Sequence, residues 1–524
     1  MRTSLVRCTA PLFGCASRAG HGVVMSALAC AVTLAALFPV GCAPMGSVPL
    51  DTGSVGVTAG GTEDIAQARS RSNAGGIPSP ESVTVEGFLS EHDIPIPPPA
   101  SPAEIYASVA GAWRPPFNEP APMVDIFVGL GTTIDLDAYR RPSLNLAVVV
   151  DRSGSMEDPA SASDYRLKMD AVKQALHSLV DRLTADDRLA LVSFNERVRV
   201  DLASAAVTDP AKVHERIDAL KPQGNTNLHE ALRVGFEQVA AAGESTQARR
   251  VIVFTDALPT VGPTTSAEIL DIVQANADRG IGFTLMGVGQ QYGTDLAQDI
   301  SNVRLGNAFF LSDADRIAQI FNDEFDFLVA PAAYDLTLEI SIPESVGIRD
   351  VYGVPDYVPG SRGARVTVPT LFFSRREGGA IIVVRLTFAQ TPDLSQDVVV
   401  GQLSMHYTLP DGTARQLGTE LVLPAGQSPT GDPTYYSDPA ARRAALLLDT
   451  ALVLREAVDA AVEGRGSAAV EMLRGFLADF DKRSLGLSDR TDPSSRGLSD
   501  ERDLLETLLG TLTRYPYGYI YYYP

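Results

Sequence analysis

Three segments of this chain, Leu144 to Val150, Val251 to Thr255 and Ile281 to Val288, are apolar at nearly every position, and segments of helix length separate them. A strand with one wet face alternates apolar and polar residues. A strand covered on both faces does not, and such strands belong to parallel sheets sandwiched between helices. Leu189 to Phe194, Val198 to Leu202 and Ala308 to Leu311 extend the series, and a helix is expected from about Leu167 to Leu183. Helix starts are marked by Asp209-Pro210, by Asn227 with Glu230 three residues on, and by Thr265 with Glu268 three residues on. Residues 143–330 are therefore expected to form an α/β domain, a doubly wound and mostly parallel sheet.

The flanks follow other patterns. After Pro331 the helical signals stop. Leu336 to Ile340, Ile381 to Phe388, Val398 to Tyr407 and Leu417 to Leu423 read as antiparallel strands, with a hairpin turn at Asp411-Gly412, and predict a β-sandwich over 331–425. Residues 101–142 are read as a short helix opening at Ser101-Pro102-Ala103-Glu104, followed by strand, turn and strand between Met123 and Leu136. Those strands are candidates to complete the sandwich, which would make the α/β domain an insertion into a split host. Residues 438–524 are expected to be helical, opening at Asp438-Pro439 and closing on a tyrosine-rich tail from Tyr515. Residues 42–100, rich in Gly, Ser, Thr and Ala and then in Pro, read as a flexible tether.

In an open α/β sheet, ligands bind beyond the C-terminal ends of the strands. The first parallel strand runs there into Asp151-Arg152-Ser153-Gly154-Ser155, a carboxylate and two hydroxyls on one loop. Alone, such a triplet is common in turns and caps. The same edge should also receive Thr226, at the opening of a helix, and Asp256, at the end of Val251 to Thr255. Three separate segments would converge on one oxygen-rich site.

With these five residues the chain closely resembles the von Willebrand factor type A family, whose Rossmann-like domain carries a metal-ion-dependent adhesion site built from Asp-x-Ser-x-Ser, a Thr and an Asp. The resemblance continues through Gly287-Val288-Gly289, Leu296, Ile300, Asn307 to Phe310 and a final helix near Ile317 to Phe321. Ala257 departs from it, since many members have Gly after the Asp. The resemblance implies that Ser153, Ser155 and Thr226 ligate the metal, with Asp151 and Asp256 holding it directly or through water. An all-oxygen set selects a hard cation, Mg²⁺ first, with Mn²⁺ or Ca²⁺ as alternatives. The partner expected is a protein that supplies an Asp or Glu carboxylate to the metal.

The opening stretch carries Arg2, Arg7 and Arg18, an apolar run from Val23 to Val40, and Gly41-Cys42, the layout of a secretory signal over 1–41. Val40-Gly41-Cys42 resembles the end of a bacterial lipoprotein box, with Pro39 where Leu is usual, and implies lipidation at Cys42. The alternative is an uncleaved anchor. Both place the body outside the cytoplasm, tethered to a membrane. A net charge of −21 argues against nucleic acid as a partner.

Catalytic sets are missing. His21, His92, His177, His214, His229 and His406 lack metal-like spacing in sequence, and there is no His-Glu-x-x-His, P-loop or Gly-x-Ser-x-Gly motif. The expectation is a binding protein rather than an enzyme. The competing readings are a structural envelope component whose metal stabilises the loops, and a metal-dependent hydrolase.

Overall fold

The computed structural model describes residues 54–56 and 64–515, except 118, 120, 161–164, 244–246, 257–258, 290–293, 312–320, 322–324, 355–356, 375–380, 428–435, 437 and 491–495. The expected signal segment, Cys42, Ala257, most of the final helix near Ile317 and all of the tyrosine-rich tail beyond Tyr515 lie outside the described residues.

Residues 64–100 correct the tether reading. After a short strand β1 (Ser54–Gly56), helices α1 (Asp64–Asn73) and α2 (Val85–Ser90) form, the second capped by the Thr84 side chain, which accepts a 3.1 Å bond from Gly87 N. Ile65, Ala68, Phe88, Leu89, Ile94 and Ile96 are all buried in a core shared with the C-terminal helices. Composition averaged over this stretch hides a few large apolar residues that dock on distant partners. The helix expected at Ser101 is also absent. β2 (Tyr106–Arg114) follows instead, antiparallel to β3 (Met123–Gly131), and Ile134 and Leu136 lie beyond the strand end. Cross-strand pairing along the whole length of β2 overrides the local capping signal.

The central sheet has the order β6-β5-β4-β7-β8-β9. Its strands are β4 (Leu144–Asp151), β5 (Arg188–Phe194), β6 (Val198–Ala206), β7 (Ala248–Thr255), β8 (Ile281–Val288) and β9 (Gly306–Leu311). All neighbours run parallel except the β5–β6 hairpin. Every residue of β4 is buried. Leu144, Leu146, Val148 and Val150 face the side of α3 (Lys168–Asp181) and α4 (Pro210–Asp218). Ala147 and Val149 face α5 (Leu228–Ala240), α6 (Ser266–Ala277) and α7 (Thr294–Ser301). Burying each large aliphatic side chain contributes about 1.5–3 kcal/mol, which fixes the strand between two helical layers. A one-turn helix α8 (Phe325–Leu328) leads out of the domain.

The chain then re-enters an antiparallel fold through β10 (Pro331–Ser341), β11 (Val346–Tyr352), β12 (Val358–Gly360), β13 (Gly363–Ser374), β14 (Ile381–Phe388), β15 (Val398–Thr408) and β16 (Ala414–Leu423). One sheet has the order β1-β13-β10-β15-β16, with β12 on β13, and the facing sheet has the order β11-β14-β3-β2. β3 thus pairs with the distant β14, Val124 opposite Leu386 and Gly129 opposite Ile381, and the α/β domain enters the chain between β3 and β10. Val124, Ile126, Val128 and Leu130 of β3 point into the sandwich core.

The other face of that sheet meets helices α9 (Pro439–Val462), α10 (Gly466–Arg483) and α11 (Leu498–Arg514). Most of α9 is buried, including the charged Arg443 and Asp449. Charged groups cross this seam. Asp125 of β3 accepts from Arg114 Nε at 2.9 Å and from Arg385 Nε at 2.8 Å, and Arg114 reaches on to Asp449 of α9 at 2.6 Å. Arg483 of α10 also bonds Asp449, at 2.9 Å. Burial pushes the Asp125 carboxyl up, but the two guanidiniums outweigh it and hold the group below the usual carboxylate range. A second buried cluster joins the ends of the chain. Arg69 of α1 donates to Glu91 at 2.8 Å and to Glu501 of α11 at 2.6 Å, and His92 Nε2 lies 3.1 Å from Glu501.

Candidate functional site

β4 ends in the middle of its sheet, so the loop that follows it opens at the C-terminal edge between the loops after β5 and β7. Asp151 closes the strand fully buried, with one carboxylate oxygen accepting from Ser153 N at 2.7 Å and the other from Thr255 Oγ1 at 2.6 Å. Ser153 begins a single 3₁₀ turn over Gly154–Glu157, which sets Ser155 Oγ 3.1 Å from Ser153 Oγ. Ser155 Oγ in turn donates to Asp256 Oδ1 at 2.9 Å, bridging the loop after β4 to the loop after β7.

Backbone bonds lace the loop between α4 and α5, which carries Thr226, to these two. Gly154 N donates to Gly224 O at 2.9 Å and Gln223 N to Arg152 O at 2.6 Å, while Thr226 N donates to Thr260 Oγ1 at 3.0 Å. Gly224 has φ +82°, a left-handed conformation that other residues adopt only under strain, so glycine suits this close crossing. Asn227 then caps α5 through Glu230 N at 3.4 Å. Thr226 is thereby held, buried, at the mouth of the same edge. Asp151, Ser153, Ser155 and Asp256 are linked through hydrogen bonds at this edge, and the backbone bonds of Gln223 and Gly224 bring the loop of Thr226 beside them.

Two members of the site have no counterpart in the sequence reading. Thr255 adds a hydroxyl to Asp151, a role foreshadowed only by its position at the strand end. Lys168, the first residue of α3, places Nζ 2.8 Å from Asp256 Oδ2 and 3.3 Å from Ser155 O, and is itself buried. Nothing in the spacing of Lys168 announces this.

Electrostatically the site is short of positive charge on the Asp151 side. Burial pushes the Asp151 carboxyl up to about 6, against the hydrogen bonds from Thr255 and Ser153 that lower it, and the neighbouring Asp256 charge raises it further. Two buried carboxylates, three neighbouring hydroxyls and no nitrogen or sulfur among the candidate ligands form a donor set suited to a hard divalent cation. Among the described residues, no group of three or more His, Cys, Asp or Glu is arranged to hold a metal, so a cation here would depend on the hydroxyls.

A doubly wound, mostly parallel α/β sheet carries this cluster at its C-terminal edge. Residues 145–323 match the von Willebrand factor type A domain, and this segment is a domain of that family. An uncharacterized protein of Synechocystis sp. is 25% identical over 301 residues, 55% of this chain and 67% of its own length. The uncharacterized protein YfbK of Escherichia coli is 26% identical over 299 residues, 56% of this chain and 50% of its own length. The chain thus spans about two thirds and one half of these two relatives, and both matches extend beyond the α/β domain. Among solved structures, a von Willebrand factor type A protein from Catenulispora acidiphila shares 17% identity with a TM-score of 0.48, covering 80% of this chain and 99% of its own.

Proposed function

We propose that this protein captures a partner protein through a divalent cation, most favourably Mg²⁺, held at the loops after β4, α4 and β7. The observation that carries this reading is the clustering of the carboxylates and hydroxyls of Asp151, Ser153, Ser155 and Asp256 at one largely buried edge, with Thr226 on the loop laced to them. Ser153, Ser155 and Thr226 would ligate the cation, with Asp151 and Asp256 acting directly or through water. Once bound, the cation supplies an electrophilic position for an Asp or Glu of the partner, because neutral hydroxyls leave most of its charge uncompensated. Asp151, held by Thr255 and by Ser153 N, cannot swing away, and Ser155 couples the two carboxylate-bearing loops.

In this reading the work is binding rather than turnover, outside the cytoplasm, with the N-terminal segment as the membrane tether, lipidated at Cys42. Among the described residues no helix is long and apolar enough to cross a membrane.

Calorimetric titration of Mg²⁺ and Mn²⁺ into residues 43–524 tests it, alongside Asp151→Ala and Asp256→Ala variants of verified fold. Loss of metal binding in both variants, together with metal-dependent capture of an acidic partner from envelope extract, is expected. An intact fold that takes up neither metal at millimolar concentration would sink the carboxylate bridge.

A further inference from the structure

Far from those loops, His177 of α3 and His214 of α4 face each other with their Nδ1 atoms 2.6 Å apart, ring centroids 4.8 Å apart and ring planes at 32°. Their outer nitrogens are both engaged. His177 Nε2 lies 3.0 Å from Asp218 Oδ1, and His214 Nε2 lies 3.2 Å from Asp181 Oδ1. An ionised carboxylate only accepts, so each Nε2 carries a hydrogen, and a ring with its single hydrogen there presents a lone pair at Nδ1. Two lone pairs aimed at one another at this distance repel. Either a shared proton or a metal cation between them removes that repulsion.

We propose that His177 and His214 form a second metal site, separate from the loops after β4, which binds a divalent transition metal of the zinc type through their two Nδ1 atoms. Imidazole nitrogens select Zn²⁺, Ni²⁺ or Cu²⁺ over Mg²⁺ and Ca²⁺. A carboxylate behind each ligating histidine, fixing its tautomer and ring orientation, is the arrangement by which proteins hold such metals. Metal-to-nitrogen distances of about 2.0–2.1 Å set the two nitrogens roughly 3.0–3.4 Å apart, so the rings must part by about half an ångström. Both side chains are about one third exposed, at 33% and 27%, which leaves room for that movement and for waters to complete the coordination. The metal would clamp α3 to α4. His177 lies nine residues beyond Lys168 on the same helix, about 13 Å along its axis, so the clamp grips the element that delivers Lys168 to Asp256.

The test is titration of Co²⁺ and Zn²⁺ into the full chain in saturating Mg²⁺, read by Co²⁺ absorption and by calorimetry, in the wild type and in His177→Ala, His214→Ala and Asp181→Asn/Asp218→Asn. Expected are one bound Co²⁺ displaced by Zn²⁺, loss of that binding in either alanine variant, and roughly tenfold weaker binding in the double asparagine variant. The same binding should persist in Asp151→Ala/Asp256→Ala, which separates this site from the one proposed above. Binding unchanged by the alanine substitutions, or no binding at all, overturns the proposal. So does imidazole ¹⁵N NMR showing a proton still shared by the two Nδ1 atoms when Zn²⁺ is in excess.

Discussion

Lys168 Nζ sits 2.8 Å from Asp256 Oδ2, inside the cluster of oxygens that would receive a cation. Its stem is packed against Gly289, where a β-carbon would come within 2.7 Å of Lys168 Cε, so the ammonium has little freedom to retreat. A fixed positive charge therefore competes with any metal for one of the two carboxylates. Lys168→Met should tighten Mg²⁺ or Mn²⁺ binding by about tenfold or more, since like charges a few ångströms apart in a partly buried site repel by well over 1 kcal/mol. Calorimetry on the folded variant measures this. Unchanged affinity would mean that the lysine leaves Asp256 when metal arrives.

The seam between the sandwich and the helices rests on alternating buried charges, Arg385, Asp125, Arg114, Asp449 and Arg483. Replacing Asp449 with Leu leaves Arg114 and Arg483 facing each other in a dry interface. The expected loss is about 3–5 kcal/mol, against a smaller loss for Asp449→Asn, which retains acceptor capacity. Urea denaturation followed by far-UV circular dichroism separates the two. A loss in Asp449→Leu below about 1 kcal/mol would mean that water reaches the guanidiniums.

The cluster around Glu501 makes an acid-sensitive joint. Burial pushes the Glu501 carboxyl up, but Arg69 and His92 outweigh it and hold the group well below its ordinary value of 4.5. A carboxylate whose folded value is depressed contributes stability that is complete above its unfolded value and lost as pH falls below it. The urea midpoint of the wild type should therefore fall as pH drops below about 4.5. Glu501→Gln should be less stable at neutral pH and show a flatter acid limb; parallel pH profiles for the two proteins would count against the joint.

Residues 143–330 carry two complete cores on one contiguous stretch, whereas residues 331–425 lack β2 and β3, half of one sheet of the sandwich. Expressed alone, the first fragment should give dispersed amide NMR spectra and cooperative melting, and the second should not. A well-folded second fragment would show that β14 finds another partner for the edge that β3 covers.

The α/β domain was legible because its signals are local. Leu144 to Val150 needs nothing outside itself to announce a strand covered on both faces, and Asp151 to Ser155 follows it directly. Thr226 and Asp256 were legible because strand order in such sheets brings their loops to one edge. In the host, the sandwich strands after Pro331 and the helices after Asp438 were legible from the same local signals, but the segment before Met123 was not, because its decisive contacts are remote. Ile65 and Phe88 dock on helices that start at Pro439, and Tyr106 to Arg114 becomes a strand only because Met123 to Gly131 lies beside it. Lys168 stayed hidden for a related reason. A lysine opening a helix is ordinary, and only the packing of its stem on Gly289 turns it toward Asp256.

The bond from Arg69 to Glu501 joins residues 432 positions apart. At ribosomal speeds of about 5–20 residues per second, α1 waits roughly 20–90 s for its partner to be made. The inserted domain has all its strands well before then and can close first. The host is a late-completing shell, whose opening helices must be kept from wrong partners until the last helix arrives.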